Sequence, residues 1–174
     1  MGIAYDDDRS ELVNLETMDY IAFPLTPHVI STSVAVNYSD AGGIGASSVN
    51  QVYSNTGSEE TTVEFPYYRV GLANSGGLSV QKATDAMSYH LAFVRSLTIS
   101  GTRPDGLSRG APALCLLTIP GILTWKCRIR SFQPSMRRGE DKKLLELKLT
   151  ITFREEWEKP LSAEDILEMG YQRG

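Results

Sequence analysis

Residues 113–157 read ALCLLTIPGILTWKCRIRSFQPSMRRGEDKKLLELKLTITFREEW, and this stretch decides the fold. Apolar and polar residues alternate along two of its segments, which is the pattern of strands with one buried and one exposed face. The stretch therefore predicts an antiparallel pair with one dry side. The dry face carries Leu123, Trp125, Cys127, Ile129 and Ser131 on one strand and Leu145, Leu147, Leu149, Ile151 and Phe153 on the next, and the wet face carries Lys126, Arg128, Arg130, Glu146 and Lys148.

The only two cysteines, Cys115 and Cys127, lie on either side of a turn at Pro120-Gly121. A two-residue turn would point their side chains to opposite faces, whereas a turn one residue longer would place them opposite each other. The sequence therefore leaves a disulfide open. In a reducing cytoplasm we expect free, buried thiols.

A charged loop is predicted at residues 133–143, between the two strands of the dry face. Folding the strands symmetrically about this loop places Arg130 opposite Glu146. Its two basic pairs are suited to holding phosphate, but no aromatic residue is interleaved for base stacking. A salt-bridging contact with another protein and a plain charged surface are the other interpretations. The candidate contact residues are Met136, Arg137, Arg138, Lys142 and Lys143.

Two alternating runs nearer the N-terminus predict a long hairpin between Val29 and Tyr67. The first run continues to Tyr38 as one half-buried strand, and the second begins at Thr61. A short strand-like piece, Val49 to Tyr53, lies between them after a glycine-rich stretch. No Gly-Lys-Ser/Thr follows those glycines, so a turn is a better interpretation than a phosphate loop.

An amphipathic helix of about five turns is predicted from Ser79 to Ile99, with Ser79 as its cap. Apolar residues recur along it at helical spacing, so one stripe should pack across the sheet. We expect Met87, Leu91 and Val94 of the helix to share one core with Trp125, Leu147, Leu149 and Ile151.

Length favours one domain with two extensions, because 174 residues suffice for one sizeable core. We predict an N-terminal arm at residues 1–27, a β domain at 28–157, and a tail at 158–174 with a short helix that carries Ile166, Leu167 and Met169. The acidic triplet at residues 6–8 is interpreted as a solvated run rather than a metal site. The sequence shows neither a secretory signal nor a stretch long enough to span a membrane, so we expect a cytoplasmic protein.

Composition and motifs give no sign of an enzyme. The net charge of −4, from 17 basic and 21 acidic side chains, argues against a general DNA-coating surface. His28 and His90 have no metal-ligand spacing, and no Gly-x-Ser-x-Gly motif occurs. His90 is expected to be partly exposed rather than a general base. We therefore predict no catalytic, metal or cofactor-binding residue.

The predicted elements together resemble the tail-tube-like proteins of contractile phages, and are most similar to tube-initiator and baseplate-hub components. The features that carry the resemblance are the long hairpin, the central helix, and the segment GAPALCLLTIPG at residues 110–121, which leads through Trp125 to Thr152-Phe153-Arg154-Glu155. The resemblance covers roughly residues 29–157. Some relatives carry a peptidoglycan-binding LysM module, whereas this chain ends in a short predicted helix.

The resemblance implies an α+β fold, with an antiparallel sheet or sandwich of tail-tube type, a packed central helix and an extended hairpin. It implies a non-catalytic virion protein of the tail or baseplate, assembled in the host cytoplasm. Such proteins form a homo-oligomeric ring, here expected to be a hexamer, that joins hub to tail tube and initiates tube assembly. Its expected partners are neighbouring tube, hub and baseplate proteins, with DNA only in passage and no membrane anchor.

If the protein forms a ring with a lumen, some of its residues should line the channel. The small polar face of the hairpin should line the channel, because a neutral to acidic lining lets DNA slide without sticking. Two alternatives stay open: a tail-completion or neck ring protein, and a small cytoplasmic enzyme or ligand-binding β protein with a pocket under the helix. The expected lumen-facing residues are Ser31, Ser33, Asn37, Thr62 and Glu64.

Overall fold

The computed structural model describes residues 9–27, 29–41, 50–75, 77–99 and 111–156, with only the backbone described at 38–41, 50–56 and 75. Nine strands and two helices occur in these residues. The elements are β1 (Glu11–Asn14), β2 (Tyr20–Ala22), β3 (Val29–Ser33), β4 (Val36–Ala41), β5 (Asn50–Thr56), β6 (Glu60–Tyr68), α1 (Arg69–Ser75), α2 (Val80–Leu97), β7 (Cys115–Ile119), β8 (Leu123–Arg138) and β9 (Leu144–Glu155).

Seven of the strands form one antiparallel sheet in the order β2, β1, β7, β8, β9, β6, β3. The helix α2 covers one face of the sheet, which we call the inner face; the other is the outer face. Inner-face residues of neighbouring strands lie side by side, as Phe65 does with Leu149 and Tyr67 with Leu147. The prediction of an α+β fold built on an antiparallel sheet is confirmed.

The core lies between α2 and the inner face, as predicted. Met87 and Val94 of the helix are fully buried in one cluster with Trp125, and Leu91 packs against that cluster. The predicted core residues Leu147, Leu149 and Ile151 are also fully buried in it.

Residues 9–27 do not behave as an arm, so this part of the predicted organisation is wrong. β1 pairs with both β2 and β7, which places Leu12 beside Leu117 in the sheet. Leu12 and Phe23 are fully buried, and the Phe23 ring stacks on Phe65 with centroids 3.6 Å apart. Apolar burial therefore fixes the segment even though its strands are only four and three residues long. Residues 1–8 and the predicted tail at 158–174 lie outside the described residues.

The predicted helix is confirmed in position and cap. The hydroxyl oxygen of Ser79 accepts a hydrogen bond from Lys82 N at 3.3 Å, which satisfies one backbone donor of the first turn. The short helix α1 was not predicted, because it has only seven residues and directly follows a strand. Neither described helix has the length and hydropathy that crossing a membrane requires.

The long hairpin is present, but its first arm is two strands rather than one. β3 pairs with β6, and β4 pairs with β5 to form a separate two-stranded sheet. The strand ladder is interrupted between them at Val34-Ala35, where Gly57 N donates a hydrogen bond to Ala35 O at 2.7 Å. Val34 and Val36 are 49% and 48% exposed, so the half-burial expected from Val29 to Tyr38 is wrong at these two residues, although β4 is a strand as predicted.

Strand β8 contains a bulge between Ile129 and Ser131, which corrects the predicted dry face. The extra residue, Arg130, reverses the alternation, so Ser131 lies on the outer face and Phe132 on the inner face. Leu123, Trp125, Cys127 and Ile129, which precede the bulge, are buried as predicted.

The predicted loop at residues 133–143 is mostly strand. β8 continues to Arg138, and the turn to β9 spans only residues 139–143. Arg137 rather than Arg130 therefore lies opposite Glu146, which corrects the predicted cross-strand pair. Pro134 is tolerated inside the strand because this half of β8 has a paired neighbour on one side only among the described strands.

The β7–β8 turn has three residues, since Ile119 pairs with Leu123. Gly121 lies in this turn with a φ of 71°, a conformation that costs glycine little. The longer turn places Cys115 directly opposite Cys127, and both thiols are free and buried, as expected.

Candidate interaction surface

The outer face carries four of the five residues predicted to face a lumen. Ser31, Thr62, Thr152 and Ser131 form one row across β3, β6, β9 and β8. The hydroxyl oxygens of Thr62 and Thr152 are 3.0 Å apart and share a hydrogen bond. Ser33 and Glu64 lie on the same face, and the fifth predicted residue, Asn37, is exposed on β4.

The outer face is not neutral to acidic, because β8 and β9 bring basic side chains onto it. Lys148 Nζ lies 3.4 Å from Glu64 Oε1, so a predicted lumen residue has a cationic neighbour. Three further ion pairs involve arginines of β8: Arg137 pairs with Glu146 of β9, Arg128 with Glu156 just after β9, and Arg130 with Glu60 of β6. A face of mixed sign has balanced local charge, which is consistent with weak rather than tight phosphate binding.

Two strand edges are open at the same level of the sheet. Gln133, Thr150, Glu64 and Val29 form a four-strand row that begins on β8 and ends on β3. Among the described strands, β3 pairs only with β6, and residues 131–138 of β8 pair only with β9. The second hydrogen-bonding edge of each of these segments is therefore open. Unpaired backbone groups along such edges are suited to pairing with another chain.

The turn between β8 and β9 is held within the subunit. Arg69 Nη1 donates to Asp141 Oδ2 at 2.7 Å, and Lys143 Nζ donates to Gln81 Oε1 at 2.5 Å. Desolvation raises the pKa of Asp141, but hydrogen bonds from Lys143 N and Arg69 and their charges outweigh it and lower that pKa below its usual value. The charged turn is therefore hydrogen-bonded to α1 and α2 of its own subunit.

The predicted contact residues are only partly brought together. Arg137 and Arg138 end β8, while Lys142 and Lys143 lie in the turn, and all four are exposed. Met136 is 55% exposed on the inner side of the β8 edge, opposite Leu147. Ile166, Leu167 and Met169 lie outside the described residues, so their contact role stays a prediction.

A cavity beside the junction of β3 and β4 was not predicted from sequence. It has a volume of about 270 Å³ and is lined by Ser33, Ala35, Gly57 and Ser58, with Glu60, Arg130 and Arg154 around them. Arg130 pairs with Glu60, whereas Arg154 is exposed and makes no ion pair within the described residues. Its lining thus includes Arg130, the extra residue of the β8 bulge, and Ala35 and Gly57, which are joined by a backbone hydrogen bond.

Burial shifts the pKa values of one histidine and both cysteines among the described residues. His90 is half-buried on α2, and desolvation lowers its pKa to about 4. Burial raises the pKa of Cys115 to about 12 despite the nearby positive charge of Arg128, and it also raises that of Cys127. No group of three His, Cys, Asp or Glu side chains suited to a metal ion occurs among the residues described. What the arrangement offers is strand pairing and charge contact.

No protein-family model matches this chain, and no curated protein sequence matches it significantly.

Proposed function

We propose that this protein is a structural subunit of a phage tail, a tail-tube-like ring component that joins the baseplate hub to the tail tube and initiates tube assembly. In this proposal it performs no catalysis, and its copies associate around the tail axis in the virion, with a hexamer as the expected ring. The proposal draws on the sequence resemblance described above together with the shape and edges of the sheet.

One observation carries the proposal: the four-strand row from Gln133 to Val29 has an open edge at each end. The two edges belong to different strands, so pairing β3 of one copy with β8 of the next continues the sheet head to tail. Head-to-tail contacts generate rings when the rotation closes. Closure also satisfies backbone groups that would otherwise remain unpaired.

The outer face and the charged turn suit the same assembly. With Ser31, Ser33, Thr62 and Glu64 on the outer face, that face is the proposed lumen side, where ion-paired charges limit phosphate binding. Arg138 and Lys142 lie exposed at the end of the β8–β9 ribbon, and are proposed contacts to the next ring.

A tail-completion or neck ring protein would use the same edges and is the nearest alternative. A ligand-binding β protein with a pocket under the helix is disfavoured, because α2 covers a core of fully buried Met87, Val94, Leu147 and Leu149. That space is filled by side chains that pack against each other.

Electron microscopy and light scattering of the purified chain test the proposal. We expect ring-shaped particles whose mass rises with protein concentration to a fixed multiple of 19.2 kDa. A chain that stays monomeric at high concentration, alone and with tail-tube or hub proteins added, would contradict the ring. Reversing Arg137 and Arg138 to Glu should weaken association, and more so at low salt, because exposed charges are screened within about 10 Å at 0.1 M salt.

A further inference from the structure

The cavity beside the junction of β3 and β4 has an excess of positive charge in its wall. Its charged lining residues are Arg130, Arg154 and Glu60, two cations against one anion. Arg154 lies directly opposite Glu60 on the outer face, but Oε1 of Glu60 accepts a hydrogen bond from Nη1 of Arg130. The Arg154 guanidinium is thus left without an ion-pair partner among the described residues.

The other strand neighbour of Arg154 is also an arginine. Arg128 of β8 lies directly opposite Arg154 of β9. Like charges in directly opposed positions on neighbouring strands destabilise the pair. Arg128 is held by Glu156 at 3.5 Å and by the carbonyl oxygen of Pro112, whereas Arg154 is exposed beside the cavity. A bound anion at Arg154 would therefore reduce a repulsion that the described side chains leave in place.

The rest of the cavity wall is small and polar. Ser33 and Ser58 contribute hydroxyl groups, which can both donate and accept hydrogen bonds, and the apolar part of the described lining is limited to Ala35. The volume of about 270 Å³ corresponds to about nine water molecules at about 30 Å³ each. The space therefore suits a short polar molecule and lacks the apolar wall that a long hydrocarbon chain needs.

The charge of the wall selects among anions. A planar guanidinium presents parallel N–H groups to the two oxygens of a carboxylate, which gives strong hydrogen bonds with defined geometry. One carboxylate also neutralises the single excess positive charge. A dianion such as sulfate would add a second negative charge next to the carboxylate of Glu60, and that contact is repulsive.

We propose that this cavity binds a short polar monocarboxylate, with the ligand carboxylate on Arg154 and its other polar groups on Ser33 and Ser58. Glu60 selects for ligand charge, because it engages Arg130 and so leaves one cation available. The site lies on the outer face, away from α2, and the proposal does not depend on ring formation.

Saturation-transfer NMR of the full-length protein with lactate as the probe tests this site, since the method detects weak ligands even on large assemblies. Lactate should receive saturation from the protein at millimolar concentration. Lactamide, which has nearly the same shape but no charge, is the matched control and should receive much less. Sodium chloride keeps the ionic strength constant in both titrations, so general screening does not distinguish the two probes.

Arg154→Gln should weaken lactate binding about fivefold, the upper range for an exposed ion pair. Arg137→Gln is the matched variant, because it removes another exposed arginine of the outer face that pairs with Glu146 away from the cavity, and it should leave the affinity unchanged. Equal saturation of lactate and lactamide, or equal losses in the two variants, would overturn the proposal.

Competition with sulfate tests the selection by Glu60. Sulfate should displace little lactate from the unaltered protein. Glu60→Gln removes the negative charge from the wall and releases Arg130, so sulfate should then compete well. Effective displacement by sulfate from the unaltered protein would contradict the monocarboxylate class, and unchanged competition in Glu60→Gln would contradict the role of Glu60.

Discussion

The hydroxyl oxygen of Tyr67 lies 3.0 Å from Nδ1 of His90, which joins β6 to α2 by a hydrogen bond at the edge of the core. The two rings also meet edge to face, with centroids 5.6 Å apart. Burial raises the pKa of Tyr67 and lowers that of His90, so both side chains are neutral near pH 7. The contact is therefore made by an uncharged imidazole at neutral pH, and burial disfavours its protonation.

Protonation of His90 should destabilise the fold in mild acid. Its pKa falls from 6.5 in the unfolded chain to about 4 in the folded protein, so the unfolded state binds the proton first. Stability should be intact above pH 6.5 and decline as the pH falls to 4, by at most roughly 3 kcal/mol. Urea unfolding across this range measures the decline. His90→Gln should flatten it relative to Ser88→Ala, an exposed control on the same helix. A parallel decline in both variants would contradict the role of His90.

Truncation at the centre of the core should be costly. Leu149 is fully buried on the inner face, so Leu149→Ala should lower the free energy of unfolding by roughly 2–5 kcal/mol. Its neighbour Thr150 lies half-buried on the outer face, and Thr150→Ala should cost far less. Chemical denaturation of the two variants provides the comparison. A loss well under 1 kcal/mol for Leu149→Ala would mean that the core relaxes around the gap.

The turn between β8 and β9 contains a strained residue that glycine should relieve. Lys142 has a φ of 59°, in the left-handed region, where a side chain costs about 1–2 kcal/mol. Lys142→Gly removes that strain, but glycine also makes the unfolded chain more flexible, which lowers the free energy of unfolding by about 0.5–1 kcal/mol. The net change in the free energy of unfolding should therefore be neutral to slightly stabilising. Lys143→Gly, without such strain, should destabilise. Thermal unfolding of both variants distinguishes them, and equal losses would argue against strain at Lys142.

The two thiols should be inert in the folded protein. Cys115 has a pKa of about 12 and Cys127 a raised one, so almost no thiolate exists near pH 8. Ellman's reagent should label neither residue at this pH and both after unfolding in guanidinium. Rapid labelling of the native protein would show that the β7–β8 hairpin opens locally.

The two open strand edges should meet between copies. A mixture of chains that carry either Ser31→Cys or Gln133→Cys should form interchain disulfides, because both substitutions lie on the outer face at the proposed junction. A mixture of Ser31→Cys with Tyr20→Cys is the control, since Tyr20 is 53% exposed on the opposite edge strand, β2. Preferential bonding in the control mixture would place the junction at β2 instead.

The sequence predicted the helix and the centre of the sheet well, because burial there follows a regular period. Met87 and Val94 recur at helical spacing, and Leu147 to Phe153 alternate without interruption. The bulge in β8 does leave a signal: apolar positions change from odd to even between Ile129 and Phe132. Treating position 131 as a continuation of the alternation assigned it to the wrong face.

Other features depend on pairing that no local pattern encodes. The alternation of β3 continues through Val34 and Val36, although pairing with β6 ends at Ser33, and the hydrogen bond from Gly57 N to Ala35 O marks the break. The strands β1 and β2 are too short for a period to be visible, and tertiary burial of Leu12 and Phe23 fixes them. The cavity beside the junction of β3 and β4 was missed because the residues that line it come from parts of the chain that are far apart in sequence.

The unlike open edges at β3 and β8 have a consequence for symmetry. Contacts between unlike surfaces contain no two-fold axis, so an assembly that uses both edges has a distinct top and bottom. Each copy would present its β8–β9 turn toward the same side of the ring. Such a ring is polar, so its two ends present different surfaces and the next protein to bind can distinguish them.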